Sequence, residues 1–286
     1  MHKLASVTAA VAFSLLAVAP ADAVDEGVAD GDAHPNVGLL AFDVDGGGET
    51  SPFGLCTGFV VSDSVFVTAA HCITAVPEGV EWAVTLEPGS PTSPVLTPGF
   101  FPDDFPFVVT VPVHRATGAV VHPDFRVGWR AAHDVAVVLF PAGTFAGVTP
   151  VELPAAGLLD RLAAGGGLHG RSFTLVGYGG DEERGAGSPA LFIPGYRQAA
   201  RAPFQALTPE HLRLQLTAAA TGGGALCAGD SGSPQFLDET NLAVSLLTES
   251  SRSDSCRGAQ AAQRLDTPAE RAFLDRHVQL LMRLEP

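Results

Sequence analysis

Lysine is almost missing from this chain: Lys3 is the only one among 286 residues. Beyond that position there is no lysine for a Schiff base and none for a serine–lysine dyad. Positive charge is scarce in general, with 16 Lys and Arg against 31 Asp and Glu and a net charge of −15. A surface this acidic repels phosphate backbones, which argues against nucleic acid as a partner. Cysteine is confined to Cys56, Cys72, Cys227 and Cys256, and no pair has C-x-x-C spacing, which argues against zinc. After the N-terminal segment, no apolar run is long enough to cross a bilayer.

That N-terminal segment reads as an export signal. His2 and Lys3 supply a positive start, Leu4 to Ala19 is apolar, and Ala21 and Ala23 fit an A-x-A cleavage site. Residues 1–23 are therefore expected to be removed, leaving a secreted protein that begins at Val24 and has no membrane contact. In an oxidising compartment four cysteines favour disulfides over metal ligands. Three connectivities are open; the local pairs Cys56–Cys72 and Cys227–Cys256 would each contribute about 3 kcal/mol.

Short β-branched runs recur between Gly, Pro and Asp. They predict strands at Val37–Phe42, Gly58–Val61, Phe107–Val111, Gly118–Val121, Val135–Phe140, Ser172–Val176, His211–Leu216 and Leu242–Leu247, the pattern of an all-β barrel or sandwich. Pro141 to Pro154 reads as a mid-chain link, and Pro88 to Pro106, rich in proline, as a surface loop. The period changes at the C-terminus. Thr267, Pro268 and Glu270 offer a helix cap, a first-turn proline and a capping-box acid. Leu274, Val278 and Leu281 then mark one apolar face, expected to cover the second half.

Three motifs carry chemistry: Thr68-Ala69-Ala70-His71-Cys72, His133-Asp134-Val135-Ala136-Val137, and Cys227-Ala228-Gly229-Asp230-Ser231-Gly232-Ser233-Pro234. A serine hydroxyl is a poor nucleophile without a base within reach, and a histidine base needs a carboxylate to fix its tautomer. In residue type, order and cysteine placement the set resembles the chymotrypsin/trypsin-like serine proteases, bacterial secreted members in particular. Asp134 has rivals in Asp124 and His133, but it opens an apolar strand as the family's aspartate does.

The resemblance implies two six-stranded antiparallel β-barrels followed by a C-terminal helix. Residues 24–140 would form a barrel holding His71 and Asp134, residues 141–164 a linker, and residues 165–286 a barrel holding Ser231. Ser231 would be the nucleophile, His71 the base and Asp134 its orienting acid, with the N–H groups of Gly229 and Ser231 as oxyanion donors. Cys56 would pair with Cys72. Ala225, six before Ser231, would floor the specificity pocket beside Ser245; without a charge there, small or apolar side chains are expected in preference to Lys or Arg. The freed amine of Val24 would pair with Asp230. Ser233 stands where glycine is commoner, and the segment at Val244–Thr248 departs from the family's Ser-Trp-Gly.

Protein or peptide substrates are the expected partners, and a proteinaceous inhibitor is a candidate. No cofactor is implied, and no ligand-spaced acidic cluster argues for calcium. Two other functions fit less well. A catalytically silent binding protein on a protease scaffold would usually lack a triad residue. A secreted esterase of the nucleophile-elbow type would place the acid after the serine.

Overall fold

The computed structural model describes residues 27–43, 55–74, 81–90, 92–98, 107–109, 111–127, 132–183, 190–192, 195–215, 227, 229–250 and 260–282. The signal region, Val24, Ala225 and Cys256 lie outside them. No described helix is long and apolar enough to cross a membrane.

The strands before residue 141 are β1 (Val28–Ala29), β2 (Val37–Asp43), β3 (Leu55–Val60), β4 (Val65–Thr68), β5 (Glu81–Thr85), β6 (Leu96–Pro98), β7 (Phe107–Val109), β8 (His114–Arg115), β9 (Gly118–Val121) and β10 (Ala136–Leu139). Those after it are β11 (Ser172–Gly177), β12 (Asp181–Glu183), β13 (Ala190–Phe192), β14 (Gln198–Leu207), β15 (His211–Leu214), β16 (Pro234–Leu237), β17 (Ala243–Ser250) and β18 (Gln260–Arg264). Helices are α1 (Ala70–Thr74), α2 (Leu158–Ala164) and α3 (Pro268–Met282).

All eight expected strand sites carry strand, with ends shifted by a few residues. In the second sheet the order is β1-β14-β11-β16-β17-β18-β15, and β15 pairs back to β14, so six strands close a barrel with β1 added at its side. The first sheet runs β8-β5-β2-β3-β4-β10-β9 and is antiparallel throughout. The second is thus the closed six-stranded barrel expected, while the first, with seven strands, is a half-barrel among the described residues; together they have the chymotrypsin-like double-barrel fold. The proline-rich stretch after Pro88 is not loop throughout: β6 within it pairs with β7.

The core shows why the halves stay joined. One buried cluster takes Val37, Phe59 and Val137 from the first half and Val176, Phe236 and Leu246 from the second. Polar groups reinforce the seam. Arg197, fully buried, donates through Nε to Asp30 at 2.8 Å and through its other nitrogens to the carbonyls of Gly31 and Val37. Burial alone would raise the pKa of Asp30, but hydrogen bonds and charge from His34 and Arg197 hold it below the ordinary carboxylate value.

The C-terminal helix begins at Pro268 as expected, and Thr267 Oγ1 accepts the Glu270 N–H at 3.4 Å. Two details differ. Glu270 does not turn back to complete a capping box; its carboxylate binds His133. Nor does the helix cover the second half alone, because Phe273 and Leu274 join the shared cluster with Val135 and Val137, and Phe273 lies 4.9 Å from His122. A helix amphipathic enough to need a partner takes the larger apolar surface on offer, and that surface spans the junction.

Candidate active site

His71 is delivered by a strand and a disulfide. β4 reads Val-Phe-Val-Thr and is buried at every position, flanked by β3 and β10. Ala69 and Ala70, both fully buried, allow the chain to turn tightly into α1. Cys72 is then bonded to Cys56 of β3 across 16 positions of sequence, which tethers the short helix to the sheet. Oxidised sulfurs have no thiolate to offer a metal, although Cys56, Cys72 and His71 cluster closely.

The register of β10 against β4 sets Ala136 opposite Thr68 and so brings residue 134 beside the start of α1. Asp134 is 1% exposed. Its Oδ1 accepts the His71 backbone N–H at 2.8 Å, and its Oδ2 lies 2.8 Å from His71 Nδ1. Both oxygens of one carboxylate thus address one residue 63 positions away. The sequence rivals do not share this place: the Asp124 N–H donates to His122 Nδ1, and His133 faces Glu270.

Ser231 sits in a turn whose neighbours must be glycine. Gly229 and Gly232 have φ of 94° and 85°, in the left-handed region. A Cβ on Gly232 would lie 2.2 Å from the Thr57 carbonyl oxygen and 2.4 Å from Thr68 Oγ1. The first half grips this turn directly. Thr57 N–H donates to the Ser231 carbonyl at 2.8 Å, and Thr57 Oγ1 donates to the Gly229 carbonyl at 3.0 Å. From the other side Gly232 N–H donates to the Leu247 carbonyl at 2.7 Å. Cys72 Sγ lies 3.9 Å from the Ser231 carbonyl oxygen and 3.8 Å from His71 Nε2. Among the described residues no hydrogen bond joins His71 Nε2 to Ser231 Oγ, a bond that commonly tightens only with substrate in place. Nor, among them, does the N–H of Gly229 or of Ser231 have an acceptor.

Asp230 is fully buried between these elements. Its oxygens accept the N–H groups of Gly179 and Cys227, each at 2.8 Å. Gly177 and Gly179 leave room for it, since a Cβ on either would collide with its carboxyl group. Burial pushes its pKa up to about 7, against the lowering effect of Cys227, Gly179 and Ser233. No cation contacts it among the described residues. Cys227 is disulfide-bonded, and its expected partner Cys256 lies outside the described residues.

Ser245, expected beside the specificity pocket, is fully buried and donates to Gln235 Oε1 at 2.7 Å. The pairing of Pro234 with Leu246 carries β17 past the turn so that Leu247, two residues later than Ser245, meets Gly232. Thr57 and Gln263, whose Oε1 accepts the Asp134 N–H at 3.4 Å, are site neighbours that the motifs did not reveal. Only the sheet register identifies them, and no local signal encodes it.

A double barrel in which a buried aspartate is bonded to a histidine beside the turn that carries Ser231 belongs to the chymotrypsin-like class of fold. Comparison with known proteins agrees. The family described as Trypsin matches residues 41–263, so the chain belongs to that family of proteases. A vitellin-degrading protease of Bombyx mori is 26% identical over 194 residues, covering 63% of this chain and 61% of that protein. The match thus spans about three-fifths of the relative's length. Among solved structures, HL collagenase superposes with a TM-score of 0.60 at 15% identity, covering 86% of this chain and 94% of its own. HBP gives a TM-score of 0.59 at 14% identity, covering 88% of this chain and 96% of its own.

Proposed function

We propose that the protein is a secreted serine endopeptidase acting through Ser231, His71 and Asp134. The observation that carries this reading is the two-point bond of Asp134 to His71, next to a turn that presents Ser231. His71 Nε2 takes the Ser231 proton as Oγ adds to the scissile carbonyl. Asp134 holds the Nδ1 proton and stabilises the imidazolium. The N–H groups of Gly229 and Ser231 receive the developing oxyanion. His71 then protonates the leaving amine as the C–N bond breaks, leaving an acyl group on Ser231. Water, deprotonated by the same imidazole, adds to the acyl carbon, and collapse returns the proton to Oγ.

A fluorophosphonate probe tests the reading: it is expected to label the folded protein at Ser231 and not the Ser231→Ala variant. A folded protein that is never labelled would favour the silent binding scaffold. Specificity for small or apolar side chains rests on the uncharged Ala225, at the position six before the nucleophile. In a peptide library cleavage after such residues is expected to dominate, and cleavage concentrated after Lys or Arg ends that assignment.

Activation is assigned to the cut after Ala23. A buried carboxylate gains from a nearby cation, and the ammonium of Val24, four residues before β1, is the candidate. N-terminal sequencing of the active protein is expected to begin at Val24. The pH dependence gives a second check. With extra residues left before Val24, Asp230 keeps in the fold a proton that the unfolded chain loses, since its folded pKa is about 7. Stability is then fullest below the unfolded value of about 4 and falls as pH rises toward neutrality. The chain starting at Val24 is expected to show a flatter profile, because the ammonium keeps Asp230 ionised. Identical urea-unfolding profiles for the two chains would remove the ion pair.

A further inference from the structure

Behind Asp134 lies a group of side chains that the proposed reaction does not use. His122, His133 and Glu270 bring one ring nitrogen or oxygen each to within 4.8 Å of one another. The arrangement is unsuited to a cation. The two imidazole rings stack at 4.7 Å with only 10° between their planes, so their lone pairs run side by side instead of converging. His133 Nδ1 and His122 Nδ1 are moreover already bonded, to Glu270 and to the Asp124 N–H.

What these contacts do is fix the backbone around Asp134. His133 immediately precedes it and has φ of 57°, a left-handed conformation uncommon outside glycine. Such a backbone is unfavourable and persists only where its surroundings enforce it. Here the enforcement is specific. His133 Nδ1 lies 2.6 Å from Oε1 of Glu270, which is fully buried in the first turn of α3. The His133 ring is sandwiched further by its stack on His122, itself 4% exposed. The His133 carbonyl accepts the Val135 N–H at 2.8 Å, and the Val135 carbonyl accepts the His122 N–H at 3.0 Å, closing the turn on both sides of Asp134. Gln263 of β18 takes the remaining donor, the Asp134 N–H.

Placing a carboxylate in this interior is unfavourable: burial raises the pKa of Glu270, and the bond to His133 opposes the rise. An apolar residue at the same point would pack α3 against the core without that cost. The charged residue adds a direction, because a hydrogen bond this short sets the position of the His133 ring and with it the torsions that aim Asp134.

We infer that Glu270 is a positioning residue for Asp134, acting through His133, so that the C-terminal helix holds the orienting acid in line with His71. The inference rests on the triad proposed above. Its test uses the full active protein with Glu270→Ala and the near-isosteric Glu270→Gln, which keeps an oxygen for His133. Glu270→Ala is expected to lower kcat about tenfold with KM within about twofold, and Glu270→Gln to fall between it and the parent. The low-field proton signal of the His71 Nδ1–H bonded to Asp134 is expected to shift or broaden in the same order. That signal reads the His71–Asp134 bond in molecules that are folded, so it separates aim from stability. A folded Glu270→Ala with unchanged kcat and signal overturns the inference and leaves the triad standing. A fall in activity that only follows the loss of folded protein, with the signal intact in the remainder, overturns it too. A parent protein with no Ser231-dependent labelling would instead overturn the reading beneath it.

Discussion

Ser231→Ala is expected to lower kcat for peptide hydrolysis by about a millionfold, and His71→Ala by about as much. The two residues act as one unit, since the hydroxyl without its base is a weak nucleophile and the base without the hydroxyl has no proton to take. The double variant is therefore expected to be no slower than either single one. Asp134→Asn keeps the shape but presents an amide to His71 Nδ1 and favours the wrong tautomer, with an expected loss of about 10⁴. The rate left in each case comes from binding and from the N–H groups of Gly229 and Ser231. Steady-state rates normalised to folded protein check the series. If the double variant is slower by the product of the single losses, the residues work independently and the shared mechanism fails.

The second large effect needs no chemistry. Gly232→Ala is expected to destabilise the protein by more than about 3 kcal/mol and to abolish activity. Its φ of 85° disfavours any side chain, and the new methyl would meet the Thr57 carbonyl at 2.2 Å and Thr68 Oγ1 at 2.4 Å. Both obstacles belong to the first half, while Gly232 belongs to the second. Relief can come only by moving the halves apart, which also pulls Ser231 from the Thr57 N–H that anchors it. A chemical unfolding midpoint equal to the parent's would show that the turn has room the structure does not.

Much of the architecture could be read from short apolar runs, because strands such as β2 and β10 bury bulky residues, Val37, Leu39 and Leu40 in one and Val137 and Val138 in the other. Two strands outside the expected set have different chemistry. β18 is Gln-Ala-Ala-Gln-Arg, and its Gln263 and Arg264 are buried in hydrogen bonds and ion pairs that only the fold supplies. β14 contains Pro203 and little alternation, and its pairing with β15 shifts register beside that proline, between Phe204 and Ala206. α2, within the expected linker, is a seven-residue helix whose Leu159 N–H finds a partner only in Asp266, 107 positions away. At the site the same division holds. The motif residues His71, Asp134 and Ser231 were legible because each stands in a distinctive local string. The placing of Ser245 is harder to read, because it depends on register: a shift of two residues along β17 decides which residue meets the turn.

The shared apolar cluster has a consequence for how this molecule fails. Val137 and Phe236 belong to one packed interior, not to two that merely touch, and Arg197 stitches residues of both halves from within. Ser231 and His71 come from different halves of the chain. Damage along the seam is therefore expected to reach the place where they meet, so heat, denaturant or a poor core mutation should silence the protein no later than it begins to melt. In that sense the meeting of His71 and Ser231 is the molecule's own gauge of integrity, and a partly opened form is expected to be inert.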